Sequence, residues 1–209
     1  KAYYQFMRLD TPLGISVRDL DRYLQGRGIL SGKGANFSRA AKTHNLNELY
    51  LIAHAGLETG WGTSRLAQGL WYNPTTDSIS TQWVAGSTKV YNMYGVGAYD
   101  GNPLLDGARF AYKQGWTTPE VAIEKGAYYV GRNYISRGQN TLYKMRWHPD
   151  YMEQHGSASW HLYATDIGWA RKQADILAGM HGFFGSVEAV YGASPRSWAA
   201  PRSTSSART

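Results

Sequence analysis

The sequence predicts a mainly helical α+β domain carrying one small β lobe between its helices. Three observations lead there. Helix start and stop signals recur before residue 62 and again after residue 102, whereas residues 70–100 are rich in strand formers broken by Pro and Gly. No segment repeats at a period of about 20–50 residues, which argues against a solenoid. With 209 residues and 43% hydrophobic content, the chain is long and apolar enough for one packed core.

Element by element, Val17 to Gln25 reads as a short helix stopped at Gly26-Arg27-Gly28. A second helix is expected from Phe37 to Thr43, with Asn36 as its cap. The clearest one starts at Asn45, with Glu48 three residues on as an Asn variant of the capping box. Leu49, Ile52, Ala53 and Gly56 give it a 3.6-residue apolar period, and Gly60-Trp61-Gly62 supplies the C-cap. Trp71, Tyr72, Trp83, Val84, Val90, Tyr91 and Tyr94 then form a β-hairpin excursion, interrupted at Asn73-Pro74, Gly86 and Gly95.

Helices resume from about Pro103 to Gln114. The next is announced by Thr118 as cap, Pro119 at the first helical position and Glu120 in the first turn, and runs to about Tyr134. A loop is expected through Trp147-His148-Pro149-Asp150. The last helix should start near Thr165 or Asp166 and reach about Met180. Residues 1–190 are thus read as one domain, with 1–39 as a helical extension. Residues 191–209 read as a Ser-, Arg- and Pro-rich tail or linker.

Composition narrows the chemistry. There is no cysteine, so disulfides, thiolate zinc sites and cysteine nucleophiles are excluded together. Twenty-two Lys and Arg against 15 acids give a net charge of +7, which draws polyanions. The basic residues are scattered, with Arg196, Arg202 and Arg208 in the tail, and no groove-reading helix is visible, so nucleic acid is not the expected partner. An anionic cell wall or membrane face suits the charge as well. No apolar run approaches the roughly 18 residues of a transmembrane helix. Any export signal is expected upstream of Lys1. Sixteen Tyr and 8 Trp exceed what a core of this size needs, and their amphipathic rings suit sugar stacking.

Glu58 is the residue whose setting points to chemistry. It lies in the last turn of the capped helix, where the negative end of the helix dipole and the apolar Leu57 and Trp61 favour the protonated acid. A carboxylic acid kept protonated near neutral pH is what a glycosidic leaving oxygen requires. His54 falls one turn back on the same face. The pair has metal-ligand spacing, yet His-Glu-x-x-His and a third ligand are missing, so no metal or other cofactor is expected. Neither Gly-x-Ser-x-Gly nor Ser-x-x-Lys occurs, and no phosphate-cradling glycine loop is present.

The stretch His54-Ala55-Gly56-Leu57-Glu58-Thr59-Gly60-Trp61-Gly62-Thr63-Ser64 strongly resembles the catalytic motif of glycoside hydrolase family 73, the bacterial β-N-acetylglucosaminidases of autolysins. Further matches follow in order: Tyr91-Asn92-Met93-Tyr94-Gly95, Gly126-Ala127 through Tyr134-Ile135, Gln139 with Thr141 to Trp147, and Tyr163 to Ile167 with Trp169-Ala170. The resemblance spans about residues 40–185. It implies a lysozyme-like fold of two lobes with a glycan cleft between them, and an autolysin-type enzyme cutting peptidoglycan glycan strands outside the bacterial cell.

By that resemblance Glu58 is the general acid, Tyr163 sits close to the reaction centre and Asp166 lies one turn beyond it. Trp61, Asn92, Met93, Tyr94 and Gly95 would line the cleft, and Tyr143, Lys144 and Trp147 would contact substrate or form its wall. The second catalytic group stays open. Between residues 59 and 99 only Asp77 is acidic, with Asp100 closing the segment. Asp77 or Asp100 could activate water, Tyr163 with Asp166 could position it, or the substrate's own 2-acetamido group could attack. A muramidase, a lytic transglycosylase and an inactive glycan-binding module remain the alternatives. The motifs beyond Glu58 argue against the first two, and the intact Glu58 argues against the third.

Overall fold

The computed structural model of the chain describes residues 1–98, 101–156, 160–185 and 187–192. After a single 3-10 turn (Ala2–Phe6) come α1 (Val17–Leu24), α2 (Gly34–His44), α3 (Glu48–Thr59) and the one-turn α4 (Arg65–Gln68). A sheet of β1 (Leu70–Asn73), β2 (Ser78–Ser80) and β3 (Thr88–Val90) follows. The rest is helical: α5 (Pro103–Gln114), α6 (Pro119–Asn133), α7 (Leu142–Trp147), α8 (Pro149–His155) and α9 (Trp169–Phe184).

Helix α3 is the axis of the molecule. Every residue from Glu48 to Gly56 is buried, so its apolar period is submerged in burial on all sides. Helix α9 packs along it, and α2 packs between it and α6. Its start corrects the capping expectation. The cap is Asn47, whose side chain accepts the Tyr50 N–H at 3.1 Å, while Asn45 ends α2 in the left-handed conformation at φ 52°. The Glu48 carboxylate closes no capping box. It is buried and accepts the N–H groups of Leu13 (2.8 Å) and Ile15 (2.7 Å), which ties the N-terminal segment to the core.

The β lobe is a three-stranded antiparallel sheet in the order β2-β1-β3, with Tyr72 opposite Ile79 and Trp71 opposite Lys89. Trp83 and Val84, expected in strands, lie exposed in the loop between β2 and β3, and Tyr94 lies fully buried after the sheet. Arg109 on α5 anchors the lobe by donating to both Asp77 oxygens at 2.8 and 2.6 Å.

Helix α5 starts at Pro103 as expected, with Asn102 accepting the Leu105 N–H, and α6 starts at its expected cap, Thr118 accepting the Val121 N–H at 3.2 Å. Two expectations fail further on. Residues 147–150 are not a plain loop, because Thr141 caps α7, Pro149 opens α8, and only His148, at φ 41°, breaks the helix between them. The last helix begins at Trp169, and Asp166 lies outside it, accepting the Gly168 N–H at 2.8 Å. Residues 160–168 are thereby free to line a cleft. Tyr191 bridges to Met7, bringing the end of the described chain onto its beginning; residues 193–209 and Asp100 lie outside the described residues. Among the described residues no helix is long and apolar enough to cross a membrane.

Candidate active site

A cavity of about 780 Å³ opens beside the end of α3. Leu57 and Glu58 form one side of it, the Gly95–Ala98 turn another, Tyr129 of α6 and Tyr134 just after that helix a third, and the 161–166 segment with Trp169 and Lys172 of α9 closes it.

Glu58 keeps about 25% of its side chain exposed. Its Oε1 accepts the indole N–H of Trp169 at 3.0 Å. Burial raises its pKa above the ordinary carboxyl value, the Trp169 hydrogen bond offsets part of this, and the negative charge of Asp166 pushes it up further. Gly95 fits against the same carboxyl. A Cβ there would stand 2.6 Å from Glu58 Oε2, and its φ of +67° independently favours glycine.

His54 backs this acid. Its ring is fully buried, with Nδ1 3.0 Å from the Tyr50 hydroxyl and the rings of Tyr163, Tyr94 and Trp169 within 5.5 Å. Burial lowers its pKa to about 3, so the imidazole is neutral near neutral pH. Its Nε2 approaches Glu58 Oε1 to 3.9 Å, and this contact is therefore no ion pair.

Tyr163 lines the cavity and donates its hydroxyl hydrogen bond to the Tyr94 carbonyl at 2.6 Å. Burial holds that phenol protonated, well above its ordinary pKa. Asp166 also faces the cavity, bound to Lys172 at 2.7 Å, which keeps it ionised.

Of the cleft residues expected from 92–95, only Gly95 borders the cavity. Asn92 is buried and donates to the carbonyls of Val96 (2.8 Å) and Gly107 (3.3 Å). Met93 is in the core, and the Tyr94 hydroxyl donates to the Ile123 carbonyl at 3.1 Å. These three build the turn that carries Gly95.

Trp61 is not among the lining residues either. At φ 57° its ring folds back against Gly56, where a Cβ would approach it to 2.7 Å, and lies under the Arg27 guanidinium at 4.1 Å. Tyr143 packs on Phe6, Lys144 pairs with Asp150 at 2.8 Å, and Trp147 lies beside Arg146 facing outward, all away from the cavity. Asp77, held by Arg109 and Tyr72, is likewise no part of the lining, and its carboxyl is pulled down to about 2 by those partners.

Trp169, Tyr129, Tyr134, His161 and Lys172 are among the cleft residues to which the sequence assigned no role. The available signal was Trp169 itself, an aromatic closing the Tyr163 motif.

A helical body, a small sheet, and an aromatic cleft built around a carboxylic acid whose pKa is raised by burial together define a glycoside hydrolase. The family described as "Mannosyl-glycoprotein endo-beta-N-acetylglucosaminidase" matches residues 34–182, and the chain belongs to this glucosaminidase family, glycoside hydrolase family 73. The bifunctional autolysin of Staphylococcus aureus (strain MSSA476) is 44% identical over 185 residues, which is 88% of this chain. The chain spans only 14% of the length of that relative.

Among solved structures, the Major Bifunctional Autolysin is similar at a TM-score of 0.65 and 41% identity, over 90% of this chain and 71% of that one. S. aureus Autolysin E, as a catalytic mutant in complex with the disaccharide NAG-NAM, is similar at a TM-score of 0.72 and 31% identity, over 90% and 78%.

Proposed function

We propose that this domain hydrolyses the β-1,4 bond between N-acetylglucosamine and N-acetylmuramic acid in peptidoglycan glycan strands, with Glu58 as general acid. The observation that carries this is the Glu58 carboxyl, pushed towards its protonated form by burial and by Asp166 while still reaching an aromatic cavity. The relatives support the substrate, since Autolysin E has been solved with NAG-NAM and with the muropeptide NAM-L-ALA-D-iGLU. On this reading the domain acts in the bacterial wall, outside the membrane, and its +7 charge also draws it to anionic wall polymers.

In the proposed reaction Glu58 gives its proton to the glycosidic oxygen as the bond to the anomeric carbon breaks. The substrate's 2-acetamido oxygen forms the new bond to that carbon, and water then displaces it, yielding its proton to the Glu58 carboxylate. Two observations support a nucleophile supplied by the substrate. Asp166, the other carboxylate in the lining, is engaged by Lys172 and the Gly168 N–H. Asp77 is engaged by Arg109 and Tyr72.

Tyr163 then acts as a positioning residue that fixes the Gly95 turn over the acid through the Tyr94 carbonyl. Asn92, Met93 and Tyr94 hold that turn from below. Tyr143, Lys144 and Trp147 belong to α7, whose Met145 carbonyl accepts the Tyr163 N–H at 3.0 Å, and they serve the site by supporting that helix.

The test of the acid is its titration. The alkaline limb of kcat/KM against pH reports the proton on Glu58 in the free enzyme. Trp169→Phe removes a donor that favours the carboxylate, so this limb should move to higher pH, with activity retained on its acid side. A limb that stays in place, or moves down, would show that some other group carries the proton.

A further inference from the structure

Beyond the cavity the aromatic rings continue. Tyr163 meets Tyr134 at 4.9 Å, Tyr134 stacks on His161 at 4.4 Å, His161 touches Trp160 at 5.0 Å, and Trp160 stacks on Tyr151 at 5.2 Å. Tyr163, Tyr134 and His161 line the cavity, whereas Trp160 stands outside it with 51% of its surface exposed. Against the near-parallel rings of Tyr151, His148 and His161, this indole contributes little to the core and still keeps about half of its surface in solvent.

Its placement is built into the fold. His161 adopts a left-handed φ of 59°, costly for a non-glycine residue, and is clamped there by Gln139. The buried Gln139 amide donates to the His161 carbonyl at 2.9 Å, and its oxygen lies 2.8 Å from His161 Nδ1. On the other side the Trp160 carbonyl lies 3.0 Å from Nδ1 of His148, itself at φ 41°. Two of the five left-handed non-glycine residues among the described residues thus flank this one indole.

We propose that Trp160, with Tyr151 and His161, is a further sugar subsite continuous with the catalytic cleft. It takes one more pyranose of the same glycan strand, beyond the units that bracket the cleaved bond. A pyranose presents a face of C–H bonds to an aromatic ring while its hydroxyls stay in water, and the unbroken run of rings from Tyr163 to Trp160 gives the strand a path to it. This inference rests on the glycan-strand reading above, because it extends the same site.

The test is binding of purified N-acetylglucosamine–N-acetylmuramic acid oligosaccharides, from disaccharide to octasaccharide, by calorimetry in a Glu58→Gln background. Adding Trp160→Ala should weaken the octasaccharide about tenfold and leave the disaccharide unchanged, and Trp160→Phe should restore most of the loss. An equal loss at every length, or none at any length, would overturn the subsite while leaving the cleft assignment standing. Failure of the Glu58→Gln protein to bind any of these glycans would overturn both.

Discussion

Replacing Glu58 by Gln should lower kcat/KM on glycan strands by about 10³-fold and, at the same time, make the folded domain more stable at pH values above the raised Glu58 pKa. The activity loss follows from removing the proton that the Glu58 carboxyl gives to the leaving oxygen. The stability gain follows from the raised pKa. The folded domain holds the Glu58 proton more tightly than the unfolded chain, so that contribution is complete below the ordinary carboxyl pKa and is lost as pH rises through the raised folded value. Above that value the parent carries a partly buried carboxylate that Gln does not. If that carboxylate costs about 1 kcal/mol, the gain in Tm is roughly 2–4 °C for a domain of this size. Thermal unfolding on the alkaline side of the kcat/KM limb and at about pH 4 checks it: the gain should be present in the first and absent in the second. An inactive variant with no gain on the alkaline side would mean that burial does not raise the Glu58 pKa.

The second large effect falls on a residue with no side chain. Gly95→Ala should reduce kcat on the order of 100-fold, because a Cβ 2.6 Å from Glu58 Oε2 must displace the acid or the turn. The left-handed φ adds a backbone cost of about 1 kcal/mol. Gly115→Ala separates the two causes. Gly115 has a similar φ of +70° at the end of α5, and a Cβ there meets nothing within 4 Å. That control should lose comparable stability, read as a drop in Tm, and keep near-parental turnover. Equal activity in the two variants would show that Gly95 does not set the position of Glu58.

What the sequence made legible was local. Thr118, Pro119 and Glu120 announced α6, and Pro103–Gln114 carried its own boundaries, because caps and proline act within one turn. The placement of Glu58 at a helix end before a β excursion was likewise readable from Gly60 and the strand formers after it. What was not legible depends on contacts far apart in the chain.

Trp61, three residues from Glu58, was expected to shield it. The positive φ at that C-cap turns its ring back onto Gly56, and the indole that reaches the acid is Trp169, 111 residues away. Asn45 reads as the cap and Glu48 as its capping-box partner, yet Asn47 caps α3 and Glu48 is engaged by Leu13 and Ile15, which no local window contains. The Asn92-Met93-Tyr94 match was read as a cleft wall, yet those side chains point into the core and act through the backbone at Gly95.

The account stands most directly on the chemistry of the new chain ends. Purified peptidoglycan should be digested with the parent domain and with Glu58→Gln, reduced with borohydride, and the fragments identified by mass. Reduced N-acetylglucosamine is expected at the new ends with the parent and none above background with Glu58→Gln. Reduced N-acetylmuramic acid, anhydro ends, or the same products from Glu58→Gln would contradict it.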